Sequence, residues 1–369
     1  MSLKKAISIV HLWLGLTSGL LVFVIAITGS IYAFQEEIQN LTQPYRFVTD
    51  SGKQYLLPSS LKQIANKELP GKDVHAVMYS GRTKAAKAIF YAEGADYYYF
   101  VYMNPYTGAV LKVKNENNDF FRFILNGHYY LWLPPKVGHV VVASATLVFF
   151  VMLVTGLVLW WPRNKKAIRQ RLTIKWDGRW RRKNYDLHSV GGFYVLLLGL
   201  VFAITGLVWG FEWFGKLYYG TISGGKTMMA YSEPKCAPVA PKSETPAIDH
   251  IWLLLQQELT EKATIEVHIP HDSAAIAVNI NPDPTTYWKT DYRYYDPSTL
   301  EEIPVEHLWG RYKNTSRADK LMRMNYDIHV GAVLGLPGKV LACLASLLIA
   351  SLPVTGTLIW WGRHNKKKG

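Results

Sequence analysis

Thr155-Gly156-Leu157-Val158-Leu159-Trp160-Trp161-Pro162-Arg163 recurs as Thr355-Gly356-Thr357-Leu358-Ile359-Trp360-Trp361-Gly362-Arg363, at a constant offset of 200 residues. Each copy closes an apolar stretch, Val137 to Trp161 and Leu336 to Trp361. Two further stretches run from Ile7 to Phe34 and from Ser189 to Phe211. All four are long enough to cross about 30 Å of hydrocarbon as helices. The other pair is related too: His11 precedes Thr28-Gly29 and His188 precedes Thr205-Gly206, with 18 residues from His to Gly in both. That spacing is five whole turns, so His and Gly share one face of each helix, about 27 Å apart along its axis. The pattern predicts an α-helical integral membrane protein with four transmembrane helices in two helix–domain–helix repeats.

The first stretch is too long for the apolar core of a signal peptide and runs without a small-residue cleavage site into Gln35-Glu36-Glu37, so it reads as a retained helix. The segment from Arg163 to Asp186 holds ten Lys or Arg against Asp177 and Asp186, and the chain ends Arg363-His364-Asn365-Lys366-Lys367-Lys368-Gly369. Short basic segments stay on the cytoplasmic side, which places both termini and this loop inside and the two long connections outside. Much of the net charge of +14 is therefore a topology signal, not a nucleic-acid footprint. Cys236 falls in an outer connection and Cys343 in the fourth helix, which excludes a disulfide framework.

The expected boundaries are helix one over residues 1–36, a first outer domain over 37–127, helix two with its preceding segment over 128–162, a basic loop over 163–187, helix three over 188–212, a second outer domain over 213–328, and helix four with its tail over 329–369. Each outer domain reads as small and α+β. The first has a helix-like run from Ser59 to Glu68, then strand-like segments at 74–79, 88–91 and 97–101, closing on Asn104-Pro105-Tyr106-Thr107-Gly108. The second has a run from Ile248 to Leu259, then 264–269, 274–280 and 292–295, closing on Asp296-Pro297-Ser298-Thr299. Asn or Asp before Pro, followed by Ser or Thr, is turn chemistry. Cys236 to Pro246 reads as a Pro-rich linker.

Of the eleven histidines, four occupy special places. His11 and His188 lie at the inner ends of helices one and three, and His128 and His329 precede helices two and four on the outer side. Each surface thus receives one imidazole from each repeat. Two imidazoles filling both axial positions suit a low-spin haem dedicated to electron transfer. The topology pairs His11 with His188 for an inner haem and His128 with His329 for an outer one. His139, just inside helix two, is the alternative to His128; Lys339 stands at its repeat position. His75, His250, His268, His271 and His307 have no repeat partners and read as surface or structural residues. The Thr-Gly steps have two readings: small surfaces that let helices or a flat porphyrin approach, or plain helix packing.

Asp327-Ile328-His329-Val330-Gly331-Ala332-Val333-Leu334-Gly335-Leu336-Pro337-Gly338-Lys339, leading into Thr355-Gly356 and Trp360-Trp361, closely resembles the last membrane segment of the PepSY-associated transmembrane helix family. His11-Leu12-Trp13-Leu14-Gly15 through Thr28-Gly29 to Glu36-Glu37 resembles its first segment, and the turns at Pro105/Thr107/Gly108 and Pro297/Thr299 resemble the ends of PepSY modules. The likeness spans nearly the whole chain. It implies an iron-regulated bacterial inner-membrane protein with two b-type haems per chain, an oxidoreductase of the ferric-siderophore reductase type. The motif histidines would then be haem ligands, and the tyrosines at 97–99, 292, 294 and 295 would shape the acceptor site; aromatic strand packing explains those tyrosines equally well.

No Gly-rich nucleotide motif follows a predicted strand, so no NAD or flavin site is expected in this chain. The electron donor is then external, a quinol in the lipid membrane or a cytoplasmic flavoprotein docking on the basic loop. By the resemblance the acceptor would be a periplasmic ferric siderophore, or else copper, a flavin or a partner protein. Two rivals have no stoichiometric haem: a membrane-tethered PepSY regulator of proteases or signalling with interfacial histidines, and a haem or metal transporter. The transporter would favour intramembrane acids, which the helices lack apart from Glu212 at an end.

Overall fold

In the computed structural model the elements follow one another as α1 (Leu3–Tyr32), α2 (Gln35–Thr42), α3 (Pro58–Glu68), β1 (Ala76–Ser80), β2 (Ala86–Tyr91), β3 (Tyr98–Met103), β4 (Val110–Asn115), α4 (Phe120–Tyr130), α5 (Pro135–Trp160), α6 (Lys165–Leu172), α7 (Trp180–Gly210), α8 (Glu212–Ser223), α9 (Ala247–Leu255), β5 (Thr264–His268), β6 (Ile276–Asn281), β7 (Asp291–Tyr295), α10 (Arg317–Arg323), α11 (Asn325–His329) and α12 (Gly335–His364). The structure describes residues 1–92, 97–162, 164–236, 245–271 and 274–364. Most of the expected linker over 236–246 lies outside these residues, as do Arg163 and the tail beyond His364. The chain divides into a helical unit (Met1–Gln35, Phe123–Tyr218, Asn325–Gly369) and a sheet unit (Glu36–Arg122, Tyr219–Met324).

In the helical unit α1, α5, α7 and α12 are each long and apolar enough to cross a membrane, as a multi-pass membrane protein requires. They pack in a ring, α1 on α5, α5 on α7, α7 on α12 and α12 on α1. The outside of the ring stays apolar: Leu20, Val140, Leu197 and Leu344 are all more than half exposed. Only a surrounding hydrocarbon makes that arrangement favourable. Without a hydrophobic drive between helices in lipid, close approach comes from small residues. A Cβ on Gly15 would stand 3.0 Å from Met152 of α5, and one on Gly19 would stand 3.1 Å from Pro353 of α12. Helix α7 begins at Trp180, two turns before its apolar stretch, so residues 180–187 of the expected loop are helical.

The strands foreseen in two separate outer domains join into one antiparallel sheet, in the order β4-β3-β2-β1-β5-β6-β7. The seam is β1 against β5, from Ala76 opposite His268 to Ser80 opposite Thr264. Pairing the two strands satisfies main-chain groups that separate domains would leave on open edges. It also merges Val77 and Tyr79 with Ile265 and Val267 in one core beneath α3 and α9. Trp252 of α9 is fully buried and stacks on Tyr79 at 3.8 Å between ring centres. Asp249 of α9 accepts from the Ser59 N–H and hydroxyl at the start of α3, at 2.9 and 2.5 Å, so the two helices are tied through a buried carboxylate.

The two turns are built alike. Asn104 Oδ1 accepts from the N–H of Tyr106 and Thr107, and Asp296 Oδ1 accepts from those of Ser298 and Thr299. Each closes on a left-handed residue, Gly108 at φ 75° and Leu300 at φ 62°. After the second turn there is only a single bridge, Tyr295 to Glu302, where the first half has β4. The tyrosines divide between the faces of the sheet: Tyr97, Tyr99 and Tyr295 pack with the core, whereas Tyr294 donates to the Trp309 carbonyl.

Replacing Trp252 by Ala removes the ring that joins α9 to β1 and is expected to destabilise the sheet unit by about 3–5 kcal/mol, read from urea unfolding of the full chain in detergent. The seam also carries a titration. His75 Nε2 faces His268 Nδ1 at 3.2 Å, and Asn279 Nδ2 donates to His268 Nε2 at 2.9 Å. Burial first, and then the adjacent His268 and His271 against the opposing pull of Glu266, hold His75 below the ordinary imidazole value of 6.5. Between that lowered value and 6.5 the unfolded chain binds more protons, so stability is lost as pH falls below 6.5. The unfolding midpoint should drop on acidification in the wild type and drop less in His75→Phe.

Candidate functional site

The four singled-out histidines all lie in the helical unit, and each ring meets a Thr-Gly step on another helix. His11 of α1 reaches Thr155 of α5, Nδ1 to Oγ1 2.9 Å. His188 of α7 reaches Thr355 of α12 at 3.0 Å and the Leu352 carbonyl at 3.1 Å. His329 of α11 reaches Thr205 of α7 at 2.7 Å. His128 of α4 donates to the Ile25 carbonyl at 2.9 Å, with the Thr28 hydroxyl 3.5 Å away. Every contact uses the same ring atom, Nδ1.

The threonines decide the tautomer. Each gives its own hydroxyl proton to the carbonyl one turn back: Thr28 to Val24 at 2.7 Å, Thr155 to Val151 at 2.9 Å, Thr205 to Val201 at 2.6 Å and Thr355 to Ser351 at 3.0 Å. The oxygen then faces the imidazole only as an acceptor, so Nδ1 carries the proton and Nε2 keeps its lone pair. Among the described residues no hydrogen bond reaches Nε2 of these four rings. That is the state of a histidine prepared to bind a metal through Nε2, with Nδ1 held by an outer partner.

The glycines leave room for the rings. A Cβ on Gly29 would stand 2.8 Å from Cε1 of His128, one on Gly356 3.2 Å from Cε1 of His188, one on Gly156 3.4 Å from Cε1 of His11, and one on Gly206 3.7 Å from Cε1 of His329. The two readings of the Thr-Gly step therefore combine: Thr anchors an imidazole, and Gly lets it lie against the helix.

The rings fall into two groups around two cavities. His11 and His188 line one of about 460 Å³, and His128 and His329 line another of about 150 Å³. Helix α1 carries His11 at the first and Gly29 at the second, so the cavities occupy opposite ends of the bundle. His128 and His329 have ring centres 6.1 Å apart. Two imidazoles on opposite sides of one metal, with bonds of about 2 Å, put their centres roughly 6 Å apart. The donor set thus fits a bis-imidazole group at the His128/His329 cavity, and His11 and His188 offer the same open Nε2 atoms around the larger one, whose volume falls within the usual range for small-molecule pockets. No three His, Cys, Asp or Glu side chains among the described residues form a metal cluster.

Other lining residues differ between the cavities. Lys4, Arg171 and Arg363 line the His11/His188 cavity, while the other has no Lys, Arg, Asp or Glu in its described wall. His139 lines the second, but its Nε2 contacts the Trp209 carbonyl at 3.3 Å and must carry the proton, the reverse of the other four. Lys339, its repeat counterpart, is buried. Cys343 lines the same cavity as a free thiol, and Cys236 is free as well.

A further repeat does not fall on the offset of 200. Asn184-Tyr185-Asp186-Leu187-His188 and Asn325-Tyr326-Asp327-Ile328-His329 are the same pentapeptide but for one aliphatic residue, 141 residues apart. Tyr185 lines the first cavity and Tyr326 the second. The first copy lies in a segment whose charges read as topology, and the second straddles the boundary expected between the second outer domain and helix four at 328/329, so neither registers at the offset of 200. Short segments set the two histidines that are not on long helices. Helix α4 is followed by two left-handed residues, Leu131 and Trp132, at φ 53° and 57°. The Trp132 indole folds back to donate to the Phe123 carbonyl at 2.9 Å, which braces the turn that carries His128. After His329 the same reversal uses Gly331 at φ 79°, where a Cβ would strike the Gly338 carbonyl oxygen.

No curated protein matches the chain. The model of the family described as PepSY-associated TM region matches residues 8–363, which reach from the second turn of α1 into the last turn of α12 and take in both histidine pairs and the sheet unit. The chain belongs to the PepSY-associated TM region family.

Proposed function

We propose that this protein is a transmembrane b-type cytochrome with two haems, an oxidoreductase of the bacterial cytoplasmic membrane. In this reading it takes electrons from a quinol or a cytoplasmic flavoprotein and delivers them to a ferric siderophore, or a similar acceptor, on the outer side. The observation that carries the reading is the pair of cavities at opposite ends of one bundle, each with two imidazoles bound at Nδ1 and open at Nε2. His11 with His188 would hold the inner haem and His128 with His329 the outer one. When bound, the haems would supply reversible one-electron redox chemistry with no open axial position. The chain supplies the remainder: the tautomer, the ring orientation and an apolar wall.

The side chains at the larger cavity suit a group with anionic arms. Lys4, Arg171 and Arg363 are the charged residues of its described lining, and the basic segment that includes Arg171 is cytoplasmic by the positive-inside rule. At the smaller cavity His139 is polar but has the wrong nitrogen open, which favours His128 as the ligand and leaves His139 to meet a polar edge. At the acceptor end, adding one electron to Fe(III) gives Fe(II), for which hard oxygen chelators are weaker ligands, so the iron is released.

A reduced-minus-oxidised optical spectrum of the purified protein, with haem counted per chain, tests the reading. Two low-spin b haems support it; protein from haem-replete cells that contains none would refute it and favour a haem-free PepSY regulator. In such a preparation His188→Ala should remove the inner haem and keep the outer, halving the haem count; retention of both would overturn the assignment. Gly29→Ala should displace the His128 ring and lower haem affinity at the outer site by about tenfold or more, in line with outer-partner losses elsewhere. Gly206→Ala meets only ordinary contacts and should leave the haem titration unchanged.

A further inference from the structure

In each cavity one histidine is backed by an asparagine that binds the same threonine, and the other is not. Within the repeated pentapeptides the Asn lies one helical turn before the His, so both side chains leave the same face. Both reach one residue of the neighbouring helix. His188 bonds the Thr355 hydroxyl while Asn184 Nδ2 donates to the Thr355 carbonyl at 3.0 Å. His329 bonds the Thr205 hydroxyl while Asn325 Nδ2 donates to the Thr205 carbonyl, also at 3.0 Å.

The two amides are buried, 3% exposed at Asn184 and 2% at Asn325, and in both Oδ1 has no hydrogen-bond partner. A buried unpaired acceptor is costly, and it recurs at both ends of the bundle. What the amide gains in return is its single bond to the threonine. His11 and His128 have Ile7 and Ile124 at the matching position, and neither side chain can form such a bond. His128 leans mainly on the Ile25 carbonyl, with its threonine at the limit of hydrogen-bond reach.

We infer that Asn184 and Asn325 are positioning residues that make the two imidazoles of each site unequal, His188 and His329 being fixed and His11 and His128 adjustable. The inference rests on the haem reading above. Moving a fixed ring means breaking the threonine bond and withdrawing the asparagine together, because the two act from one helical turn on one residue. Moving an adjustable ring breaks only the ring's own contacts. Haem would therefore load onto the fixed histidine first, and an outside ligand would displace the adjustable one.

The test uses the full-length protein, with carbon monoxide as the probe ligand. His128→Gly should keep two haems per chain, with the outer one five-coordinate on His329 and binding carbon monoxide when reduced. His329→Gly should lose the outer haem and fall to one per chain. Asn325→Leu should keep both haems and the wild-type melting temperature, shift the low-spin electron paramagnetic resonance signal of the outer haem, and leave that of the inner haem in place. Ile124→Leu should shift neither. Equal haem loss in the two glycine variants, or an Asn325→Leu spectrum with both signals unmoved or both moved, would overturn the inequality while leaving the cytochrome standing. A wild-type protein without haem would remove the cytochrome and the inference together.

Discussion

An imidazole inside an apolar helix bundle needs its N–H satisfied, and here the hydrogen bond from Nδ1 to a threonine or an adjoining carbonyl does this four times. Burying that donor unpaired would cost about 1–3 kcal/mol per ring, so the bond fixes where each ring can rest. Because the threonine has already given its proton to its own helix, the bond also fixes which nitrogen remains basic. Ring position and tautomer both follow from one local constraint, and so does the close approach of the rings at Gly29 and Gly356. The cross-helix pairing it demands, α1 with α5 and α7 with α12 around one cavity, coincides with the packing order of the bundle.

The long helices were legible because their signal is continuous: twenty or more apolar residues with charges gathered at the ends. The grouping of histidines was legible from topology, since the residues that end on the same side of a membrane are few. The threonine partners were not. His128 and Thr28 are 100 residues apart, and a Thr-Gly step reads the same whether it seats a ring or merely a neighbouring helix. The asparagines were in plain view as a repeated pentapeptide, but an offset of 141 does not register against a duplication aligned at 200.

Strand positions in the sheet unit also came through, at Ala76–Ser80, Thr264–His268 and Asp291–Tyr295 among others, because alternation of buried and open residues is a local property. Their union in one sheet did not. The β1–β5 seam joins segments nearly two hundred residues apart, and what selects it is the shared burial of Val77, Tyr79, Ile265 and Val267 beneath two helices. A histidine pair that had no repeat logic, His75 and His268, proved to be a product of that seam.

Val22, Phe149 and Ile349 line both cavities, and these three side chains are the wall they share. None has a group that can accept or pass a proton, and Val22 and Ile349 are buried. In the proposed cytochrome an electron crossing between the two ends would therefore cross without a companion proton through this wall. A bare charge traversing a bilayer feels the full membrane voltage, about 2.3 kcal/mol for each 100 mV. In the proposed orientation, with the cytoplasm negative, outward transfer would run downhill in that field, so the polarisation of the cell itself would assist the proposed reaction and its collapse would slow it.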